Sequence, residues 1–238
     1  MSRVLILALV LLVVPCLSGA SADDVAPDGS CAEAVARSVQ SHYEAISDWS
    51  ASFRQTRLAV NFGGGTPVAE PARTGTVVFA KPGRMRWSYV SPEPSLFVTD
   101  GRVVWMYDPL LEEAQRMPDA GGLLSGAAVR FLMGDGDLLA SFRVSVHDCA
   151  ETPVRLDLIP LQDAGYESLA LEVDPETGRV ASSTVSDLFG NRTTVVFSDV
   201  RMNTEPDPSA FTFEPPPGAS VIDLAVPQKP RNGAGNVP

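Results

Sequence analysis

Histidine is almost missing from this sequence, and with it the commonest side chain of acid–base catalysis. Only His42 and His147 occur. His147 precedes Asp148 and Cys149 in a strand-like run, where neighbouring side chains point to opposite faces, so His147 and Asp148 do not converge on one site. Cys149 and His147 share a face, but the thiol has a competing role, described below. The patterns G-x-S-x-G, H-E-x-x-H, C-x-x-C and the P-loop are all absent. "GDGD", with Asp135 and Asp137, lacks the twelve-residue loop and terminal Glu of a calcium site. No enzyme, metal site or cofactor is expected.

Positive charge is also scarce. Eighteen Lys and Arg face 29 Asp and Glu, a formal net charge of −11. Such a surface repels phosphate backbones and excludes a nucleic-acid partner. Long apolar runs are missing except at the start, where "VLILALVLLVV" follows Arg3 and is shorter than the roughly 20 residues of a spanning helix. With Pro15 and the small residues "SGASA" it reads as a signal peptide over 1–22, cut after Ala20-Ser21-Ala22 and before Asp23. Pro15 and Val13-Val14 make Cys16 a poor lipobox cysteine. Cleavage removes Arg3 and no acid, leaving an exported chain one unit more negative.

Cysteine is the third scarcity. Cleavage of the signal leaves two, Cys31 and Cys149, in an oxidising compartment. An even pair there reads first as a disulfide; two separate buried thiols are the alternative.

What is present is a core and a rhythm of strands. With 45% hydrophobic residues, one domain over 23–225 buries a substantial core, and the Pro/Gly/Asn-rich 226–238 reads as a disordered tail. "SCAEAVARSVQSHYEAIS" predicts a helix capped by Ser30 with Glu33 at capping-box spacing. Val35, Val39, Tyr43 and Ile46 form its apolar face. "WSASFRQTRL" then alternates, and short strand-like runs follow: "TGTVVFA", "RMRWSYV", "SLFVT", "RVVWMYD", "FRVSVHDC", "VRLDLIP", "SLALEVD", "RVASSTVSD" and "NRTTVVFSDVRM". Turns such as Lys81-Pro82-Gly83, Asp100-Gly101, "DPETGR" and "LFGNR" separate them. The pattern predicts a strongly twisted antiparallel sheet or barrel. "GGLLSGAAVRFLMGDGDLLASF" interrupts it with helical spacing at Leu124, Ala128, Phe131 and Leu132, between glycine hinges.

Aromatic side chains recur on these strands. Met85, Trp87 and Tyr89 share one face of a strand, and Val103, Trp105 and Tyr107 share one face of another. By themselves such stripes are ordinary sheet core.

The ordered set "FRQT", "GTVVF", "KPGRMRWSY", "DGRVVWMYDP" and "FTFEPPPGASV" resembles the LolA family of periplasmic lipoprotein carriers, over roughly Ala34 to Asp223. The resemblance implies an incomplete antiparallel β-barrel, mainly β with α, whose concave face is covered by the N-terminal helix and a helical lid. That face is then a lipid cavity, with Phe53, Met85, Trp87, Tyr89, Trp105, Leu124, Phe131 and Met133 as its lipid-binding residues. The lid, from Gly121 to Gly136, is expected to hinge. The family's basic-Pro turn often carries Arg as a lid latch; Lys81 stands there, a point charge without the planar fork. The partners implied are triacylated lipoproteins, an inner-membrane ABC transporter of the LolCDE type and a LolB-like outer-membrane acceptor, with the carrier itself a monomer. A lipid- or lipoprotein-sensing module, or a glycolipid carrier, of the same fold is the alternative. A hydrolase is a third reading, requiring a convergent polar cluster inside the pocket.

Overall fold

Alternation of apolar and polar residues governs most of this chain, and the computed structural model, which describes residues 29–61, 66–118 and 136–224, turns that alternation into one large sheet. Helix α1 (Gly29–Ala45) leads. It begins one residue before the expected cap, Ser30, and Glu33 pairs with Arg37 one turn on at 2.6 Å. Its expected apolar face is buried: Val35, Val39, Tyr43 and Ile46, together with Ala32 and Ala36.

The strands follow in order: β1 (Asp48–Ala59), β2 (Val68–Ala69), β3 (Arg73–Ala80), β4 (Arg84–Ser91), β5 (Ser95–Thr99), β6 (Val103–Asp108) and β7 (Glu113–Pro118). A short helix α2 (Leu138–Ser141) precedes β8 (Phe142–Val146), β9 (Val154–Pro160), β10 (Tyr166–Val173), β11 (Val180–Asp187) and β12 (Arg192–Met202). A 3-10 turn (Pro208–Phe211) and β13 (Ser220–Asp223) close the chain. The spatial order is β13-β7-β6-β5-β4-β3-β1-β12-β11-β10-β9-β8, with β2 beside β1. The ends of that path, β8 and β13, do not pair with each other among the described residues, so the sheet is open.

Three strands escape the sequence reading: the two-residue β2, which forms within the stretch "NFGGGTPVAEPA" that reads as a flexible connection, β7 and β13. β7, "EAQRMP", has only Ala114 fully buried and ends in proline, so it carries no apolar stripe. β13 pairs parallel to β7, an exception in an otherwise antiparallel sheet. The lid residues Leu124, Phe131 and Met133 lie outside the described residues, as do the expected signal peptide and tail.

Register fixes the two faces. Trp87 lies opposite Val77 on β3 and Phe97 on β5, and Phe97 lies opposite Met106 on β6. Phe53 lies opposite Gly75 and Phe197, and Gly75 opposite Tyr89. These residues share the concave face. Helix α1 covers one half of it, packing with Phe142, Val146, Val154, Leu156 and Leu158 in one hydrophobic core. Cys31 and Cys149 are bonded, with Cα atoms 6.5 Å apart and a sequence separation of 118, which pins the start of α1 beyond β8. Closing so long a loop removes about 5 kcal/mol of unfolded-state entropy in the chain-entropy treatment.

The convex face is covered by the segment after β12. Phe211 is buried under the Arg84 guanidinium, 5.1 Å from its ring, and Arg86 donates to the Ala210 carbonyl at 3.0 Å. Asp48 ties the start of that segment to β1. Its carboxylate accepts from Thr204 N at 2.7 Å, Thr204 Oγ1 at 3.0 Å and Glu205 N at 3.2 Å.

Candidate functional site

Among the described residues α1 fills only one half of the concave face, and the other half forms a cavity of about 620 Å³. Met85, Trp87, Phe97, Met106 and Val195 form its apolar floor, and Gln55, Asp108, Glu113 and Gln115 stand among its polar lining residues. No Lys or Arg side chain lines it among the described residues. The volume falls within the roughly 300–1,000 Å³ of small-molecule sites.

The aromatic wall is held by ring contacts. Phe53, buried behind the lining, lies 4.8 Å from Trp87 and 5.0 Å from Tyr89, ring centre to ring centre. Gly75 makes this contact fit: a Cβ there would fall 2.9 Å from Phe53 Cζ and 2.0 Å from the Ser88 carbonyl oxygen. The Trp87 indole donates to Met85 Sδ at 3.0 Å, and Tyr89 donates to Gln55 Oε1 at 2.9 Å. The Arg73 guanidinium lies 3.9 Å over the Tyr89 ring. Burial pushes the Tyr89 hydroxyl above its ordinary pKa, and the nearby Arg73 charge opposes that. The phenol therefore stays neutral and suits an apolar wall.

Five expected lipid-binding residues can be placed. Met85, Trp87 and Tyr89 line the cavity and Phe53 supports them. Trp105 stands apart. It pairs with Val98 and Arg116 on the convex face, with Phe213 at 5.7 Å and the Arg116 guanidinium at 5.8 Å from its ring. Its neighbour Met106 enters the cavity floor, and Tyr107 and Asp108 at the end of β6 line the cavity too. Sequence reasoning missed Phe97, Met106 and Val195. Counting cross-strand partners outward from Trp87 finds the first two.

Lys81 stands at the turn between β3 and β4, and its ammonium donates to the carbonyls of Tyr43 at 2.8 Å and Glu44 at 3.0 Å. Those oxygens belong to the last turn of α1, not to the segment expected as a lid. Of the two histidines, His42 lies on α1, where burial lowers its pKa, and His147 lies outside the cavity lining. No cluster of three His, Cys, Asp or Glu suited to a metal ion occurs among the described residues, and no helix among them is long and apolar enough to cross a membrane.

An open, curved sheet half plugged by a helix and half left as an apolar trough defines a binding protein of half-barrel type. The profile of the family described as "Outer membrane lipoprotein carrier protein LolA" matches residues 44–214, and the chain belongs to that family. It is similar to the outer-membrane lipoprotein carrier protein of Nitrosomonas europaea, 32% identical over 175 residues, 72% of this chain and 81% of that protein. It is similar also to that of Chromohalobacter salexigens, 32% identical over 180 residues, 75% and 82% of the two chains. Among solved structures, an uncharacterized conserved protein from Thermus thermophilus shares the fold. Its TM-score is 0.51 at 12% identity, covering 81% of this chain and 99% of that one.

Proposed function

We propose that this protein carries lipoproteins through the periplasm, holding their acyl chains in the concave cavity and hydrolysing nothing. One observation supports the reading most: a trough of about 620 Å³ with a floor of Met, Trp, Phe and Val, in a chain whose relatives are named outer-membrane lipoprotein carrier proteins. A triacylated cargo cannot cross water with its chains exposed, and each methylene it buries recovers about 0.8 kcal/mol. Release must follow, so the grip should be adaptable. Met85 and Met106 suit this, because unbranched thioether side chains repack around chains of different length.

In this reading Leu124, Phe131 and Met133 also bind the acyl chains. Cargo arrives from an inner-membrane ABC transporter of the LolCDE type and leaves to the outer membrane, through a LolB-like acceptor where one exists. The protein works as a monomer after its signal peptide is cut.

Displacement of a fluorescent fatty acid by a tripalmitoylated lipopeptide tests the cavity. Met106→Glu and Met85→Glu each place a carboxylate against the acyl chains and should weaken lipopeptide binding at least about tenfold. Circular dichroism checks that both variants fold. Wild-type affinity in a folded Met106→Glu protein overturns the reading, as does native mass spectrometry of periplasmic protein that never finds a lipoprotein bound.

A further inference from the structure

Connectivity puts two very different rims on the half-barrel. At one rim the turns are polar: Lys81–Gly83, Asp100–Arg102 and Asp174–Arg179. No large exposed hydrophobic side chain of the described residues stands on them. At the other rim lie the end of β4 and the β6–β7, β9–β10 and β11–β12 connections, and these carry Val90, Leu110, Leu111, Leu161, Leu188 and Phe189, all exposed. Leu111 is 71% exposed and Phe189 70%. Nothing about the turns themselves needs such residues. The β6–β7 turn is held by the Asp108 carboxylate, which accepts from the backbone N–H groups of Leu110 and Leu111. The β11–β12 turn is held in the same way by Asp187, which accepts from Phe189 and Asn191. Both turns are rigid supports presenting apolar side chains to solvent.

The cavity opens at this rim. Leu111 lines it while standing mostly exposed, and Ser95, Asp108, Glu113 and Thr193, at or beside the ends of their strands, line it too. An apolar path therefore runs from the hairpin tip at Leu111 to the floor at Met106 and Trp87.

We propose that this rim docks on a lipid bilayer of zwitterionic headgroups, sinking the β6–β7 and β11–β12 tips into the interface so that the cavity mouth faces the lipid. The inference rests on the acyl-chain reading of the cavity and adds where and on what surface the chains pass in or out. Two features select a bilayer over a folded partner. The apolar side chains sit on separate hairpin tips with the cavity mouth between them; a fluid surface accommodates such tips individually, whereas a protein would need a matching socket for each. The apolar floor also continues from Leu111 into the trough, so the docked bilayer and the cavity form one oily phase. Acidic residues outnumber basic ones there and select the headgroup. Asp108, Glu112, Glu113, Asp163 and Asp187 stand at this rim, against Arg192 at the start of β12, Arg57, which is paired with Glu70, and Arg73, which is stacked on Tyr89. An anionic leaflet would repel that surface.

The test uses phosphatidylcholine vesicles and the purified protein without cargo, so its outcome does not depend on lipopeptide binding. In Phe189→Trp the new indole should shift its emission to shorter wavelength on adding vesicles and be quenched by lipids brominated near the headgroup. Co-flotation should persist at high salt and weaken when phosphatidylglycerol is added. Leu188→Ser with Phe189→Ser, at exposed positions away from the cavity lining, should lower vesicle partitioning about tenfold or more while leaving fatty-acid uptake in solution unchanged. Absence of an emission shift, or equal partitioning by the double variant, overturns the proposal. So does binding to native membranes but not to vesicles of their extracted lipids, which assigns the rim to a membrane protein. Loss of fatty-acid uptake by Met106→Glu with vesicle docking intact separates the two readings.

Discussion

Lys81 Nζ lies 2.8 Å from the carbonyl oxygen of Tyr43 and 3.0 Å from that of Glu44, so a sheet turn closes the C-terminal end of α1. The last carbonyls of a helix carry partial negative charge from the helix dipole and are available to donors from outside it. A cation there satisfies both effects at once. Lys81→Met keeps the aliphatic stem and removes the charge, so it should destabilise the fold by about 1–2 kcal/mol. Lys81→Arg should recover most of that loss. Urea unfolding of the three proteins measures the difference, and amide exchange at Tyr43 to Ala45 should quicken in Lys81→Met alone.

The Asp48 carboxylate links the first strand to the segment that covers the convex face. Burial raises its pKa, but the bonds from Thr204, Glu205 and Ser47 outweigh that and hold it below its ordinary 3.8. A depressed folded value means that its contribution is fully present above about pH 4 and is lost as pH falls through the folded value. Asp48→Asn should therefore cost about 1–2 kcal/mol at pH 7. The gap from wild type should narrow as the pH drops below 4. Urea midpoints measured from pH 7 to pH 2.5 check the sign; a gap that widens in acid contradicts it.

Gly75 is required by its neighbours. Any Cβ at this position meets the Ser88 carbonyl oxygen at 2.0 Å, on a strand paired with both β1 and β4 and next to a register shift between Thr74 and Gly75. Phe53 Cζ, at 2.9 Å, would also have to move. Gly75→Ala should destabilise by about 2 kcal/mol or more, against the small gain expected where alanine fits a strand. It should also shift Phe53 off Trp87 and Tyr89. Thermal unfolding gives the first effect and near-ultraviolet circular dichroism the second.

The strands were legible wherever one face was apolar and the other polar. β1, β4 and β9 declare themselves in this way, since a buried face forces period-two spacing. β7 did not, because Glu113 to Pro118 lies under neither α1 nor a thick layer of side chains and needs only Ala114 inside. β6 misled for the opposite reason. It is apolar on both faces, with Met106 toward the cavity, Trp105 against Phe213, and Tyr107 both beside Phe213 and at the cavity edge, so its composition carries no direction. Only the pairing of Val98 with Trp105 across the β5–β6 turn resolves it. The family resemblance marked Lys81 as a lid latch, whereas the contacts that the structure shows are to the end of α1, and these depend on where α1 ends relative to a turn nearly 40 residues later. Such long-range geometry leaves no local signature.

The two faces of the sheet make a prediction about tryptophan. The chain has three, and they occupy three environments: Trp49 in the core stacked on Phe79, Trp87 in the cavity floor, and Trp105 on the convex face against Phe213. An acyl chain in the trough should touch Trp87 and reach neither of the others. Three single-tryptophan proteins, with Phe at the other two positions, isolate each signal. Adding a fatty acid brominated along its chain should quench Trp87 strongly, because heavy-atom quenching needs near contact. Trp105 should keep its intensity, shielded by the full thickness of the sheet, and Trp49 should lose little behind Phe79. Strong quenching of Trp105 with none of Trp87 would place the ligand on the convex face, under the segment around Phe213, and would remove the cavity from the mechanism.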